Sequence, residues 1–244
     1  MIERYQNSRV MAQAAAERIV SLAQAAVADH GRFTIALSGG TTPESTYRLL
    51  ASEAYASRID WSKFYAFWGD ERCVPPDDQQ SNFRMAWEVL LKRVPIPQEN
   101  VFRIFGEMQP DLGADDYQRR VTAFFALKAR ECPRFDLVLL GMGDDGHTAS
   151  LFPDSPALRE TARLVVAQFV EQLDAWRITF TLPMINAAAN IAFLVSSGKK
   201  ANKVRQVLAG PSQSYLLPAQ MVQPRNGELI WMLDTDASAL LPQR

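Results

Sequence analysis

One histidine of this chain stands in a glycine-rich turn that directly follows an apolar run. Residues 135–140 form the run, and the segment GMGDDGHTASLFP at 141–153 contains His147, one of only two histidines. Such a run predicts a buried parallel strand, and open α/β sheets bind ligands at the carboxyl ends of these strands. Histidine titrates near neutral pH, so His147 could act there as a general base. Asp145 could orient the imidazole or could only close the turn through backbone hydrogen bonds.

The glycine spacing of the same segment also matches the G-x-G-x-x-G fingerprint of a dinucleotide-binding turn. Two features argue against a nucleotide there. Asp144 and Asp145 would repel a pyrophosphate, and Pro153 follows too early for the long helix that this motif requires. A lone motif of this kind is weak evidence, so the sequence favours a different ligand.

A second glycine turn, SGGTTP at 38–43, joins a predicted strand to a predicted helix. Glycines let the backbone approach a ligand closely, and the free N–H groups of a helix N-terminus favour an anion such as phosphate. The competing interpretation is ordinary capping, either by Thr41 with Glu44 as a capping box or by Thr42 before Pro43. The candidate phosphate-binding residues of this turn are Ser38, Gly39, Gly40 and Thr42.

Arg72 lies in the polar string GDER at 69–72, just beyond another predicted strand. Its guanidinium could bind a phosphate there through two parallel hydrogen bonds, a contact worth about 1.5–3 kcal/mol. The alternative is a surface salt bridge with Asp70 or Glu71, which would contribute little. The position of Arg72 beyond a strand end favours the phosphate role.

Two further groups of cations are candidates for the same ligand. Lys199 and Lys200 follow Gly198 at a predicted strand-to-helix junction. The helix dipole mildly disfavours a lysine in a first turn, which favours a functional role over simple solvation. Arg177 opens another predicted strand and is a weaker substrate-binding candidate, because it could lie at the opposite end of that strand from the site.

Strand and helix patterns alternate almost throughout the chain, which predicts one α/β domain at 1–244 with a mostly parallel sheet and helices on both faces. The predicted strands cover 33–37, 63–68, 135–140, 163–169, 177–182, 190–195 and 228–233. The predicted helices cover 8–31, 111–130 and 199–208, with two more beginning in the turn at 38–44 and near residue 81.

Composition excludes several classes of protein. The 244 residues are 48% hydrophobic with a net charge of −1, so nothing in the overall charge favours nucleic acid or an anionic membrane. We find no signal-like or membrane-spanning apolar stretch and expect a cytoplasmic protein, a monomer or a small homo-oligomer. Cys73 and Cys132 are too few for a disulfide framework, and with two histidines they predict no metal site.

These motifs together resemble the 6-phosphogluconolactonase family. The resemblance rests on SGGTTP at 38–43, on GDER at 69–72 with Val74-Pro75 and Ser81-Asn82, and most specifically on the segment at 141–153. It continues through Arg177-Ile178-Thr179, Lys200-Ala201, Leu217-Pro218-Ala219, Trp231 and Asp234, and so covers nearly the whole chain.

The resemblance implies a Rossmann-like fold and hydrolysis of 6-phosphoglucono-δ-lactone to 6-phosphogluconate, the second step of the oxidative pentose phosphate pathway. It implies that His147 activates water with Asp145 holding its ring, and that Arg72, Lys200 and the turn at 38–42 grip the phosphate. No metal, cofactor or covalent nucleophile is needed, because a lactone is an activated ester. Aligning on the family's Lys-Ala pair favours Lys200 over Lys199, although the glycine before it is displaced.

Two other functions remain as alternatives. Glucosamine-6-phosphate deaminases share this fold, but they resemble Asp-Glu-Tyr where this chain has DER at 70–72, and Phe-Asn-Glu-Pro where it has SLFP at 150–153. Both segments favour the lactonase. A non-catalytic sugar-phosphate sensor is the other alternative, which no appended DNA-binding helical module or basic patch supports.

Overall fold

The computed structural model describes residues 1–242, so the last two residues of the predicted domain lie outside the described part. The described strands are β1 (Ile2–Tyr5), β2 (Phe33–Leu37), β3 (Phe64–Trp68), β4 (Asp70–Arg72), β5 (Val101–Phe102), β6 (Leu137–Leu140), β7 (Val165–Val170), β8 (Ala175–Phe180), β9 (Asn190–Val195) and β10 (Glu228–Asp234). Seven of them form one parallel sheet in the order β1-β10-β9-β6-β2-β3-β5. The predicted α/β class with a mostly parallel sheet is confirmed.

The helices of the described part are α1 (Ser8–His30), α2 (Thr41–Leu50), α3 (Glu53–Ala56), α4 (Asn82–Val89), α5 (Pro110–Phe124), α6 (Leu182–Ile185), α7 (Ala201–Ala209) and α8 (Thr235–Ser238). Asn7 is the N-cap of α1, because its side chain accepts a hydrogen bond from the Val10 N–H at 3.0 Å. Gly31 ends this helix in the left-handed conformation, with φ at 82°. Ser81 caps α4 through its hydroxyl, as the predicted start near residue 81 requires.

Three strands form a smaller antiparallel sheet, in the order β4-β8-β7, which the alternation of strands and helices does not predict. The chain between β7 and β8 is only the turn Glu171–Leu173 and Asp174, with φ at 46°. Such a connection is too short for the crossover that a parallel pair requires, so these strands pair as a hairpin. The polar string after β3 supplies β4, in which Arg72 lies opposite Arg177.

Two predicted helices have different bounds in the structure. The helix predicted at 111–130 ends at Phe124, and Ala126 and Arg130 have positive φ values of 50° and 69°, which an α-helix of L-residues does not contain. The helix predicted at 199–208 begins with the 3-10 turn Gly198–Lys200 and continues as α7. No helix within residues 1–242 is long and apolar enough to cross a bilayer.

The central strands show why their sequences lack alternation. Every residue of β2 and β6 is buried, so both faces of these strands pack against other parts of the chain. The strands β9, β6, β2 and β3 are neighbours and all run in one direction. Their carboxyl ends therefore meet at one edge of the sheet, and the loops that leave that edge form the candidate site.

Candidate functional site

A cleft of about 370 Å³ lies among the loops at this edge of the sheet. Open α/β sheets bind ligands at this place. Seven of the nine predicted site residues line the cleft: Ser38, Gly39, Gly40, Thr42, Arg72, His147 and Lys200. The other two, Asp145 and Arg177, lie behind lining residues, Asp145 against His147 and Arg177 beside Arg72.

Asp145 holds the ring of His147. The Nδ1 atom of His147 lies 2.6 Å from Oδ1 of Asp145, which also accepts a hydrogen bond from the His147 N–H at 3.0 Å. Because the carboxylate accepts a hydrogen bond from the Nδ1–H group, the tautomer with an unprotonated Nε2 is favoured. Partial burial acts to raise the pKa of Asp145, but the hydrogen bonds and the electrostatic attraction from His147 outweigh it and hold the pKa below its ordinary value.

Close packing around His147 requires glycine at Gly143. A Cβ atom there would lie 2.1 Å from Nδ1 of His147 and 2.7 Å from Oδ1 of Asp145. On another side, the ring of Phe152 stacks on the imidazole with centroids 4.2 Å apart and an interplanar angle of 28°. The imidazole is therefore held by a carboxylate and an aromatic ring, and neither of these contacts uses its Nε2 atom.

The turn after β2 carries no side-chain cap. Gly40, with φ at 101°, is the N-cap of α2, and within the described chain no side chain bonds the first N–H groups of this helix. The capping alternatives at Thr41 and Thr42 are therefore wrong. These N–H groups stay available to an anion at the cleft. A Cβ atom on Gly39 would lie 1.8 Å from Oδ1 of Asn82, so this turn also needs glycine for close packing.

Thr42 and Lys200 reach the cleft from different loops. The Thr42 hydroxyl lies 2.9 Å from the hydroxyl of Ser196, which follows β9. The ammonium of Lys200 donates to the backbone oxygen of Met142 and lies 3.7 Å from a carboxylate oxygen of Asp144. Lys199 is exposed and does not line the cleft, so Lys200 is the lysine that the structure brings there.

The guanidinium of Arg72 is not paired with the acids next to it. Its Nη1 donates to the backbone oxygen of Gln80 at 2.7 Å, and its Nε is buried without a partner in the described chain. Among residues 1–242 no salt bridge joins Arg72 to Asp70 or Glu71, so the surface-pair alternative is wrong. A guanidinium at the cleft that no carboxylate neutralises suits a phosphate.

Arg177 lies opposite Arg72 in the antiparallel register, not at a remote strand end. Burial, together with the positive charge of Arg72, lowers the pKa of Arg177, while the charges of nearby acids partly oppose these effects. Arg177 thus adds positive charge behind Arg72 without lining the cleft itself.

Sequence reasoning missed four polar residues that line the cleft: Asp70, Asn82, Ser196 and Ser197. Each adjoins a motif that the sequence analysis identified, and Ser196 directly follows a predicted strand, as a residue of this edge must. The sequence around Asp70 indicates only a salt-bridge partner for Arg72. Its role as a lining residue depends on the short strand β4, which its polar sequence does not predict.

Glu71 joins β4 to the start of α4. Its buried carboxylate accepts hydrogen bonds from the N–H groups of Arg72, Asn82 and Phe83 at 2.7–2.8 Å, and from the Ser81 hydroxyl at 3.1 Å. Burial raises the pKa of Glu71, although the three N–H donors act in the opposite direction. These bonds fix the positions of Arg72 and Asn82 on the cleft wall.

Within residues 1–242 no group of three or more His, Cys, Asp and Glu side chains could hold a metal ion. The cleft instead combines a histidine–aspartate pair with cationic side chains and the free N–H groups of a helix start. The fold and this site define an α/β protein whose cleft holds cationic side chains and a histidine oriented by a carboxylate.

A family model described as glucosamine-6-phosphate isomerases/6-phosphogluconolactonase matches residues 6–231, and the chain belongs to this family of enzymes. The 6-phosphogluconolactonase of Synechocystis sp. is 40% identical over 233 residues, which cover 95% of this chain and 94% of that protein. The 6-phosphogluconolactonase of Nostoc sp. is 42% identical over 91% of this chain and 90% of its own. The solved structure of 6-phosphogluconolactonase from Trypanosoma brucei superposes with a TM-score of 0.88 at 30% identity, covering 99% of this chain and 98% of that one.

Proposed function

We propose that this protein hydrolyses 6-phospho-D-glucono-1,5-lactone to 6-phospho-D-gluconate, with His147 as the general base, within one domain. The observation that carries the proposal is the 2.6 Å contact between Nδ1 of His147 and Asp145 beside a cleft lined by Arg72 and Lys200. The relatives from Synechocystis sp. and Nostoc sp., both named 6-phosphogluconolactonase and each at least 40% identical, support the same reaction.

In the proposed reaction, Nε2 of His147 takes a proton from a water molecule as its oxygen attacks the lactone carbonyl. Asp145 keeps the ring oriented and stabilises the positive charge that the imidazole gains. The tetrahedral intermediate then collapses with cleavage of the bond to the ring oxygen, which takes the proton back from the His147 imidazolium and becomes the hydroxyl at C5. The new carboxylic acid releases its own proton to solvent. A δ-lactone is an activated ester, so a positioned base and charge stabilisation suffice.

The phosphate of the substrate is proposed to bind Arg72, Lys200 and the turn formed by Ser38, Gly39, Gly40 and Thr42, with Arg177 adding charge behind it. Binding at this remote group turns affinity into orientation of the carbonyl against His147. The free N–H groups at the start of α2 and the guanidinium of Arg72, which has no carboxylate partner in the described chain, support this assignment.

The test is proton release from freshly generated 6-phosphogluconolactone, above the spontaneous background, with wild type and His147→Ala side by side. We expect His147→Ala to lower kcat by about 10²- to 10⁴-fold with a smaller change in KM. His30→Ala is the matched control, because His30 also contacts an aspartate, Asp136 at 3.0 Å, but at the amino-terminal edge of the sheet. Full kcat in His147→Ala would contradict the base assignment.

The same preparation distinguishes the alternatives. Release of ammonia from glucosamine 6-phosphate in place of lactone hydrolysis would identify a deaminase. Binding of 6-phosphogluconate without turnover of either compound would identify a sugar-phosphate sensor.

A further inference from the structure

Asp70 is the one acidic residue among the described residues that line the cleft. Its relative exposure is 7%, and the described chain places no lysine or arginine in a salt bridge with it. A buried carboxylate is costly unless other groups compensate its charge. The proposed phosphate contacts do not use Asp70, and the proposed general base is a different residue.

The two oxygens of Asp70 are satisfied to different degrees. Oδ2 accepts a short hydrogen bond, 2.7 Å, from the hydroxyl of Ser150. Oδ1 has only a long contact, 3.4 Å, with Nδ2 of Asn82, and that amide makes its better bond, 2.9 Å, to the backbone oxygen of Asp70. An ionised carboxylate offers about four acceptor positions. Oδ1 therefore keeps acceptor capacity at the cleft.

Ser150 is held so that its hydroxyl can serve Asp70. Its N–H donates to the hydroxyl oxygen of Thr179 at 3.2 Å, and its backbone oxygen accepts from the side-chain amide of Gln168. All three of these residues are buried. Ser150 also follows His147 by three positions, so one loop carries the proposed base and the residue that orients Asp70.

We propose that Asp70 is a specificity-determining residue that accepts a hydrogen bond from a ring hydroxyl of the sugar lactone, and that Ser150 is its positioning residue. The inference rests on the proposed function, since the ligand it requires is a phosphorylated polyol. Hydroxyl donors need acceptors in a desolvated cleft, and a carboxylate can only accept. A ligand without the matching hydroxyl leaves Oδ1 buried and unpaired, which is how a polar site rejects an analogue.

The test compares 6-phosphogluconolactone with its 2-deoxy, 3-deoxy and 4-deoxy analogues. We expect wild type to prefer the parent compound over one of the three by roughly 10- to 100-fold in kcat/KM, the size of a hydrogen bond to a charged acceptor. Asp70→Ala should abolish this preference, chiefly by slowing the parent compound. Ser150→Ala should reduce the preference less, because the carboxylate remains but is no longer held.

Asp77→Ala is the matched control, since it removes an exposed carboxylate from the loop after β4 and should keep the wild-type preference. Asp70→Asn keeps the side-chain shape and is the second variant if Asp70→Ala does not fold. Its neutral amide oxygen is a weaker acceptor than a carboxylate, so the preference should shrink without vanishing. An undiminished preference in the folded Asp70 variants, or no preference in wild type, would overturn the inference.

Equilibrium binding of 6-phosphogluconate and its three deoxy analogues separates this inference from the proposed function. Selective binding that depends on Asp70, without any turnover, would support the inference while the proposed lactonase activity fails. Turnover with the same kcat/KM for the parent lactone and all three deoxy analogues would support the lactonase activity and overturn the role of Asp70.

Discussion

The hydroxyl of Tyr47 bonds both backbone groups of Ser38, accepting from its N–H at 3.0 Å and donating to its oxygen at 2.9 Å. On the neighbouring strand, Tyr117 makes the same pair of bonds to Trp68, at 2.9 and 3.1 Å. Burial raises the pKa of both tyrosines, so each hydroxyl keeps the proton that lets it donate and accept together. Each tyrosine fixes a strand end at which a cleft loop begins.

Tyr47→Phe should therefore weaken substrate binding through the glycine turn. Loss of the paired bonds leaves two backbone groups unsatisfied and should lower the free energy of unfolding by about 1–3 kcal/mol. We expect KM for the lactone to rise roughly two- to tenfold with a smaller change in kcat. Tyr117→Phe should cost similar stability in urea unfolding and should also raise KM, because the strand end that Tyr117 holds leads to Arg72. Equal KM values for Tyr47→Phe and wild type would contradict the role of Tyr47.

Gly143→Ala should displace His147, the proposed general base, without changing any of the cationic residues of the cleft. The new Cβ would occupy the space of Nδ1 of His147, so the ring must move away from Asp145. We expect kcat to fall at least tenfold, because a displaced base loses much of its effect. Gly198→Ala is the control, because a Cβ atom at this position would lie 3.9 Å from its nearest neighbour, the Cβ atom of Asp236, and so would fit without a clash. The measurement is kcat of both variants from steady-state kinetics. A near-normal kcat in Gly143→Ala would refute the claim that a side chain at this position displaces His147.

The Asp145–His147 pair should give a small stability term with a defined pH dependence. The folded pKa of Asp145 lies below its ordinary value, so its contribution is complete above the unfolded pKa of about 3.9 and is lost as pH falls through the folded pKa. Asp145 is half exposed, so the term should stay below about 1 kcal/mol. Urea unfolding of wild type and Asp145→Asn should show a gap at pH 7 that closes in strong acid. A stability difference that grows in strong acid would contradict the predicted pH dependence of the Asp145 contribution.

Arg72→Ala should act mainly on binding. Loss of a charge-assisted contact worth about 1.5–3 kcal/mol corresponds to roughly a 10- to 150-fold rise in KM. Arg72→Lys keeps the charge without the planar fork and should recover only part of the loss. Arg177→Ala removes a cation that does not line the cleft and should change KM less. The comparison needs KM values measured at one ionic strength. A larger rise in KM for Arg177→Ala than for Arg72→Ala would indicate that Arg177, not Arg72, makes the direct phosphate contact.

The sequence predicts the central sheet well because buried parallel strands have apolar runs that stand out from their surroundings. His147, Lys200 and the glycine turn were found for a related reason, since each follows a strand or sits at a strand-to-helix junction. β4 was missed because its residues are polar and its pairing with β8 is distant in sequence. Asp70 and Asn82 were therefore missed as lining residues, and the position of Arg177 beside Arg72 depends on the same antiparallel register.

All three strands of the smaller sheet hold Ser150, through Asp70 on β4, Gln168 on β7 and Thr179 on β8. The same hairpin carries Phe169 and Trp176 on its outer face, where they are exposed and pair with each other. Neighbouring positions of one strand thus differ in consequence. A substitution at Phe169 or Trp176 should leave Ser150 in place, whereas one at Gln168 or Thr179, outside the cleft, would shift Ser150 and with it the proposed substrate preference of Asp70.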